Sequence, residues 1–115
     1  MKYVLMFVDT EEFTQEVEAM SPADLEAAYG RVNQWFIDNA DRISARTGKL
    51  QGAATATTVR LDGPEPVTTD GPFIEGKEVI SGVIEIDVAD LDEALRMVKT
   101  WPACPVIEIR PVEEM

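Results

Sequence analysis

The sequence predicts one α+β domain of the ferredoxin-like, split β-α-β type: an antiparallel sheet with two helices on one face. Three observations lead there. Strand-like and helix-like periodicities alternate in the order strand, helix, strand, hairpin-like insertion, strand, helix, strand. The 115 residues leave room for one core, so residues 1–115 are read as one domain. The opening strand is apolar on both faces, with Val4, Met6 and Val8 against Tyr3, Leu5 and Phe7, and such a strand needs cover on both sides.

The first strand is expected over Lys2 to Val8. Asp9 to Met20 reads as a loop or short helical flap, because Phe13, Val17 and Met20 fall at helix-like spacing in an acidic stretch. Ser21 then suits an N-cap, Pro22 the first helical position and Asp24 the first turn. Leu25, Ala28, Tyr29, Val32, Trp35, Phe36 and Ala40 make one apolar stripe that should end near Asn39 to Arg42 and supply much of the core. Leu50 to Leu61, rich in Thr, Ala and Val, reads as the second strand. Asp62-Gly63-Pro64 is a turn signal and Pro66 to Thr69 a short returning strand. Glu78 to Val88 is the longest strand, with Ile80, Gly82, Ile84, Ile86 and Val88 on one face. The second helix starts at Asp90, where Glu93 completes a capping box, and Pro102 stops it. Pro105 to Val112 is the last strand.

Composition excludes more than it assigns. The net charge of −12, from 22 acidic and 10 basic residues, repels phosphate backbones and anionic lipids, so neither nucleic acid nor membrane is an expected partner. No apolar run is long enough to span a bilayer. The start reads as a first strand and not as a signal peptide, so the expected location is cytoplasmic. With no histidine and one cysteine, the chain cannot form an internal disulfide, a Cys/His zinc site or a Ser-His or Cys-His nucleophile pair. No metal and no cofactor are expected. Cys104 reads as a small buried filler.

Strand alternation supplies the candidate site. If Ile80, Ile84, Ile86, Ile107 and Ile109 face the helices, then Ser81, Glu85, Asp87, Glu108 and Arg110 face away, and Thr58 and Arg60 alternate with Val59 and Leu61 in the same way. That second face also needs apolar cover, which a second copy of the chain would provide, so a homodimer is expected. Charged groups at the mouth of a cavity between two paired sheets are a default site. The candidate acids and bases are Asp70, Glu85 and Glu108. The candidate ligand contacts are Arg110, Arg60, Thr58, Asp70 and Lys77, with Arg110 first, since a guanidinium in an acidic chain selects an anion. The bland alternative is that these groups are ion pairs on a solvated edge.

The run Thr69-Asp70-Gly71-Pro72-Phe73-Ile74-Glu75-Gly76-Lys77-Glu78 has turn chemistry at Asp70 to Pro72, with Phe73 available to anchor the loop on the sheet. It also resembles the DGPF (DGPFAETKE) branch of the YCII-related proteins, matching at Asp70, Gly71, Pro72, Phe73, Glu75, Lys77 and Glu78 and departing at Ile74 and Gly76. The resemblance extends to Met1-Lys2-Tyr3, Ala54 to Arg60, Asp90 to Leu95 and Val106 to Val112. It implies a dimeric α+β barrel, two sheets packed back to back around a central cavity. The His-Asp pair suspected in the wider group has no histidine to carry it here, and Ser81-Gly82 replaces the usual Gly-Gly. An association with extracytoplasmic-function sigma factors is common in that branch and names no chemistry.

Three functions therefore stand beside one another. The first is a domain that binds or senses a small anionic metabolite between the paired sheets of a homodimer. The second is a cofactor-independent enzyme of the dimeric barrel type with a carboxylate base and an arginine anchor. The third is an adaptor dimer without ligand.

Overall fold

Four strands pair in the order β2-β5-β1-β6 in a computed structural model that describes residues 1–73 and 76–114. They are β1 (Lys2–Thr10), β2 (Ile43–Arg46), β5 (Glu78–Asp87) and β6 (Val106–Pro111), and every pairing is antiparallel. Helices α1 (Glu11–Glu18), α2 (Pro22–Asp38) and α3 (Leu91–Val98) complete the ferredoxin-like arrangement expected from the sequence. A separate two-stranded arm, β3 (Thr57–Arg60) with β4 (Val67–Asp70), interrupts it. No helix among the described residues is long and apolar enough to cross a membrane.

The core takes one face of each strand. Tyr3, Leu5 and Phe7 of β1 are buried with Ile84 and Ile86 of β5 and Val88 just beyond it, and Ala94 and Met97 of α3 close over them. Ile107 and Ile109 of β6 pack against this group, as the alternation required. The caps form as read. Ser21 Oγ accepts from the Asp24 N–H at 3.1 Å, and Asp90 Oδ1 accepts from the Glu93 N–H at 2.9 Å. Glu93 reaches back to the Ala89 N–H at 3.1 Å, which completes the box one residue earlier than the usual pattern.

Four expectations need correction. The second strand of the main sheet is Ile43–Arg46, delivered by a 3-10 turn at Ala40–Arg42 directly after α2. Leu50 to Leu61 is not that strand. Its strand-forming part, Thr57–Arg60, pairs only with β4. Second, a bulge shifts the β1–β5 register between Phe7 and Val8: Phe7 faces Gly82, but Val8 faces Ile80. The extra residue turns Ile80, 43% exposed, away from the core and leaves Ser81 on the helix side, its hydroxyl donating to the Phe7 carbonyl at 3.3 Å. Third, of the α2 stripe only Trp35 is fully buried. Fourth, Phe73 does not anchor its loop on the sheet, since it is 67% exposed.

The arm explains that last result. The radius of gyration is 16.3 Å, against about 13 Å for a compact domain of this size. Val59, Leu61, Val67 and Phe73 on the arm are all more than half exposed. The arm is held from within: the Gly71 N–H donates to the Ala56 carbonyl at 2.7 Å, and the Thr58 hydroxyl to the Gly71 carbonyl at 2.7 Å. Gly71 has φ 101°, the only positive φ among the described residues, which is why a glycine stands there. Ile74 and Glu75 of the Asp-Gly-Pro-Phe run lie outside the described residues.

Candidate functional site

The apolar residues that α2 fails to bury line a cavity. Thr10 Oγ1 accepts from the Phe13 N–H at 3.1 Å and starts α1 directly off the end of β1. The chain then reverses at Ser21 into α2. Phe13 of α1 and Trp35 and Phe36 of α2 pack against the core of the sheet. Between the helices and the sheet lies a cavity of about 340 Å³. Its roof is Phe13 and Val17 of α1, Met20, and Leu25, Ala28, Tyr29 and Val32 of α2. Its floor is Phe7, Gly82 and Ile84, and one end wall is Trp101 to Cys104.

That wall is rigid. Trp101 lies 4.4 Å from Phe7 and 4.9 Å from Trp35, ring centre to ring centre, and Phe36 stands edge-on to both indoles. Trp35 Nε1 donates to Thr100 Oγ1 at 2.9 Å and Trp101 Nε1 to Cys104 Sγ at 3.4 Å, so both indole donors are satisfied. Burial pushes the Cys104 thiol above its ordinary range, which makes it the inert filler the sequence implied and a poor nucleophile.

Charge enters at the rim. Arg46, on the helix side because it pairs opposite Ile84, lays its guanidinium 4.1 Å over the Phe36 ring. Lys49 Nζ meets Asp9 Oδ2 at 3.0 Å. Among the described residues no carboxylate lies within ion-pair distance of Arg46.

The residues singled out from the sequence fall into three places. Glu85, Glu108 and Arg110 do share the outer sheet face, away from the helices, where Arg110 pairs opposite Val4, Glu108 opposite Met6 and Glu85 opposite Val4 from the other side. Glu85 accepts from Ser44 Oγ at 2.8 Å and from Lys2 Nζ at 3.1 Å. Those two donors hold its carboxyl below the usual glutamate range, the serine hydroxyl first. Thr58, Arg60 and Asp70 sit on the arm instead of the main sheet, because β3 pairs with β4 alone. Lys77 approaches Glu11 Oε2 at 3.8 Å and is almost fully exposed. The cavity residues were visible as a pattern: those of α2 were assigned to the core, and Phe13, Val17 and Met20 to a loop or short helical flap. Arg46 was missed because Ile43–Arg46 is too short to read as a strand.

A four-stranded antiparallel sheet of this order with helices on one face defines a ferredoxin-like α+β domain. The chain belongs to the YCII-related domain family, whose pattern it matches over residues 1–115. It is also 37% identical over 68 residues to an uncharacterised protein of Rhizobium meliloti (strain 1021), a match covering 56% of this chain and 55% of that relative. The chain thus spans about half the length of the curated relative it matches.

Proposed function

We propose that the domain binds a small organic molecule in the cavity between the sheet and the α1–α2 pair. The observation that carries this reading is the cavity itself: about 340 Å³, walled in part by aromatic side chains packed on one another. Pockets for small molecules run from about 300 to 1,000 Å³, so this one suits a molecule of one or two rings. A ligand packed against these side chains removes apolar surface from water, worth about 25 cal/mol per Å². The catalytic alternative has less support. A general base needs a carboxyl tuned upward toward neutrality, whereas Glu85 is tuned down.

The same reading includes a cytoplasmic homodimer of the DGPF branch, for which the Asp70-Gly71-Pro72-Phe73 run is the support. On the outer sheet face Val4, Met6, Val8, Val83, Ile80 and Val106 form one apolar patch, by their pairing in register. Four strands at about 4.8 Å and six residues at about 3.3 Å make a face of roughly 400 Å². Stable interfaces need about 800 Å² per partner, and the exposed apolar residues of the arm, Val59, Leu61, Val67 and Phe73, support a larger contact with a second copy. Sedimentation should give a dimer at micromolar concentration and a monomer for Met6→Glu. A monomeric parent chain refutes the dimer.

The ligand site is tested with the neutral fluorophore N-phenyl-1-naphthylamine. Saturable binding of one molecule per chain, with quenching of Trp101, is expected. Absence of saturation up to the solubility of the probe overturns the reading.

A further inference from the structure

We propose that the cavity selects an organic anion: a flat apolar body carrying one carboxylate, sulfonate or similar acidic group that is held by Arg46. This rests on the cavity being the ligand site. The charge distribution carries it. Among the described residues, three of the chain's ten basic side chains line the cavity (Arg31, Arg46 and Lys49), against one of its twenty-two acidic ones. That one, Asp9, is already paired with Lys49 at 3.0 Å, and its side chain is only 18% exposed. Elsewhere the chain is strongly acidic, with a net charge of −12, so the rim is a local reversal of sign.

Geometry makes Arg46 the anchor. Its guanidinium carbon lies 4.1 Å over the Phe36 ring centre, and among the described residues its N–H groups make no ion pair, which leaves them able to donate to a ligand. Phe36 itself lines the cavity, so the acid group of a ligand lying against Phe36 and Trp101 would meet Arg46 at the rim. The apolar body would remain among Phe13, Val17, Leu25 and Val32. A cationic ligand would face Arg46 and Lys49 together, and a neutral one would leave the Arg46 edge to water.

Two fluorophores with the same aromatic body separate these cases: N-phenyl-1-naphthylamine, which is neutral, and 8-anilinonaphthalene-1-sulfonate, which adds one sulfonate. The sulfonate is expected to bind at least about tenfold tighter, the usual worth of a charged hydrogen bond, and to lose that advantage as salt rises. Arg46→Gln should weaken the sulfonate about tenfold and leave the neutral probe within about twofold, with Arg46→Lys between the two. Equal binding of both probes to the parent chain overturns the anion selectivity and leaves the cavity as a site. Loss of both probes in Arg46→Gln, with an unchanged melting temperature, overturns the anchor role, since it would mean that Arg46 only props Phe36. Failure of both probes on the parent chain overturns the ligand site and the selectivity together.

Discussion

Replacing Gly82 by leucine should block the cavity and leave the fold intact. Gly82 lies on its floor, opposite Phe7 in the β1–β5 register, with no positive φ. A Cβ built there meets nothing closer than Phe7 Cδ2 and Thr47 Oγ1, both at 3.9 Å, which is ordinary contact. The glycine is therefore not required by the backbone. Removing it from a strand interior should stabilise the fold by about 0.5–1 kcal/mol through the unfolded chain. In a domain of this size that is a rise of roughly 2–5 °C in melting temperature. Deleting a leucine side chain from a core opens a space on the order of 150 Å³, so adding one should fill close to half of a cavity of about 340 Å³. Calorimetry and titration with N-phenyl-1-naphthylamine, run on the same preparations, then read the two effects separately. The expected pair is an equal or higher melting temperature and loss of saturable binding. A fall of several degrees would show that the space above Gly82 is not free. Unchanged affinity in a stable Gly82→Leu variant would show that the probe sits elsewhere. Either result refutes the reasoning.

Other consequences are more local. Gly71→Val forces a β-branched residue to φ 101°, a strain of about 1–3 kcal/mol. Because the arm is held from within, amide exchange in Thr57–Arg60 and Val67–Asp70 should quicken by more than about fivefold, with the core of β1 and β5 unaffected. A matching loss of protection in β1 would contradict an independent arm. Glu85 has its folded pKa lowered by Ser44 and Lys2, so its contribution is present above the unfolded carboxylate range and lost as pH falls through the lowered value. The melting-temperature difference between the parent chain and Glu85→Gln should therefore be flat near neutrality and close in acid. A difference that widens on acidification would reverse the sign and refute the assignment. Buried and protonated, Cys104 should react with a thiol reagent at neutral pH only in step with unfolding.

The sheet was legible where two-residue alternation coincided with strong apolar content. Ile84, Ile86, Ile107 and Ile109 fell on the face assigned to them, and Ser21 and Asp90 capped the helices they were read to cap. Local signals were weaker guides to pairing. The Thr-rich segment at Thr57–Arg60 is a strand, but nothing in its residues says that it pairs with β4 and leaves the sheet edge to Ile43–Arg46. A bulge is likewise invisible in alternation, and one extra residue at Ser81 reversed the side to which Ile80 points. The site was half legible. Phe13, Val17 and Met20, and then Leu25, Ala28, Tyr29 and Val32, announce an apolar lining as clearly as an apolar core, because spacing reports which face is apolar and not what fills the space beneath it. Arg46 became meaningful only when folding set it over Phe36, ten residues back in the chain.

The most direct test is to record nuclear Overhauser contacts between bound N-phenyl-1-naphthylamine and the methyl groups of the protein. A ligand cavity under α1 and α2 predicts contacts to Val17, Met20, Leu25, Ala28 and Val32, the methyl-bearing residues of its roof. Contacts to Val4, Met6 and Val106, on the opposite face of the sheet and outside the cavity lining, would place the binding site between subunits and contradict the account.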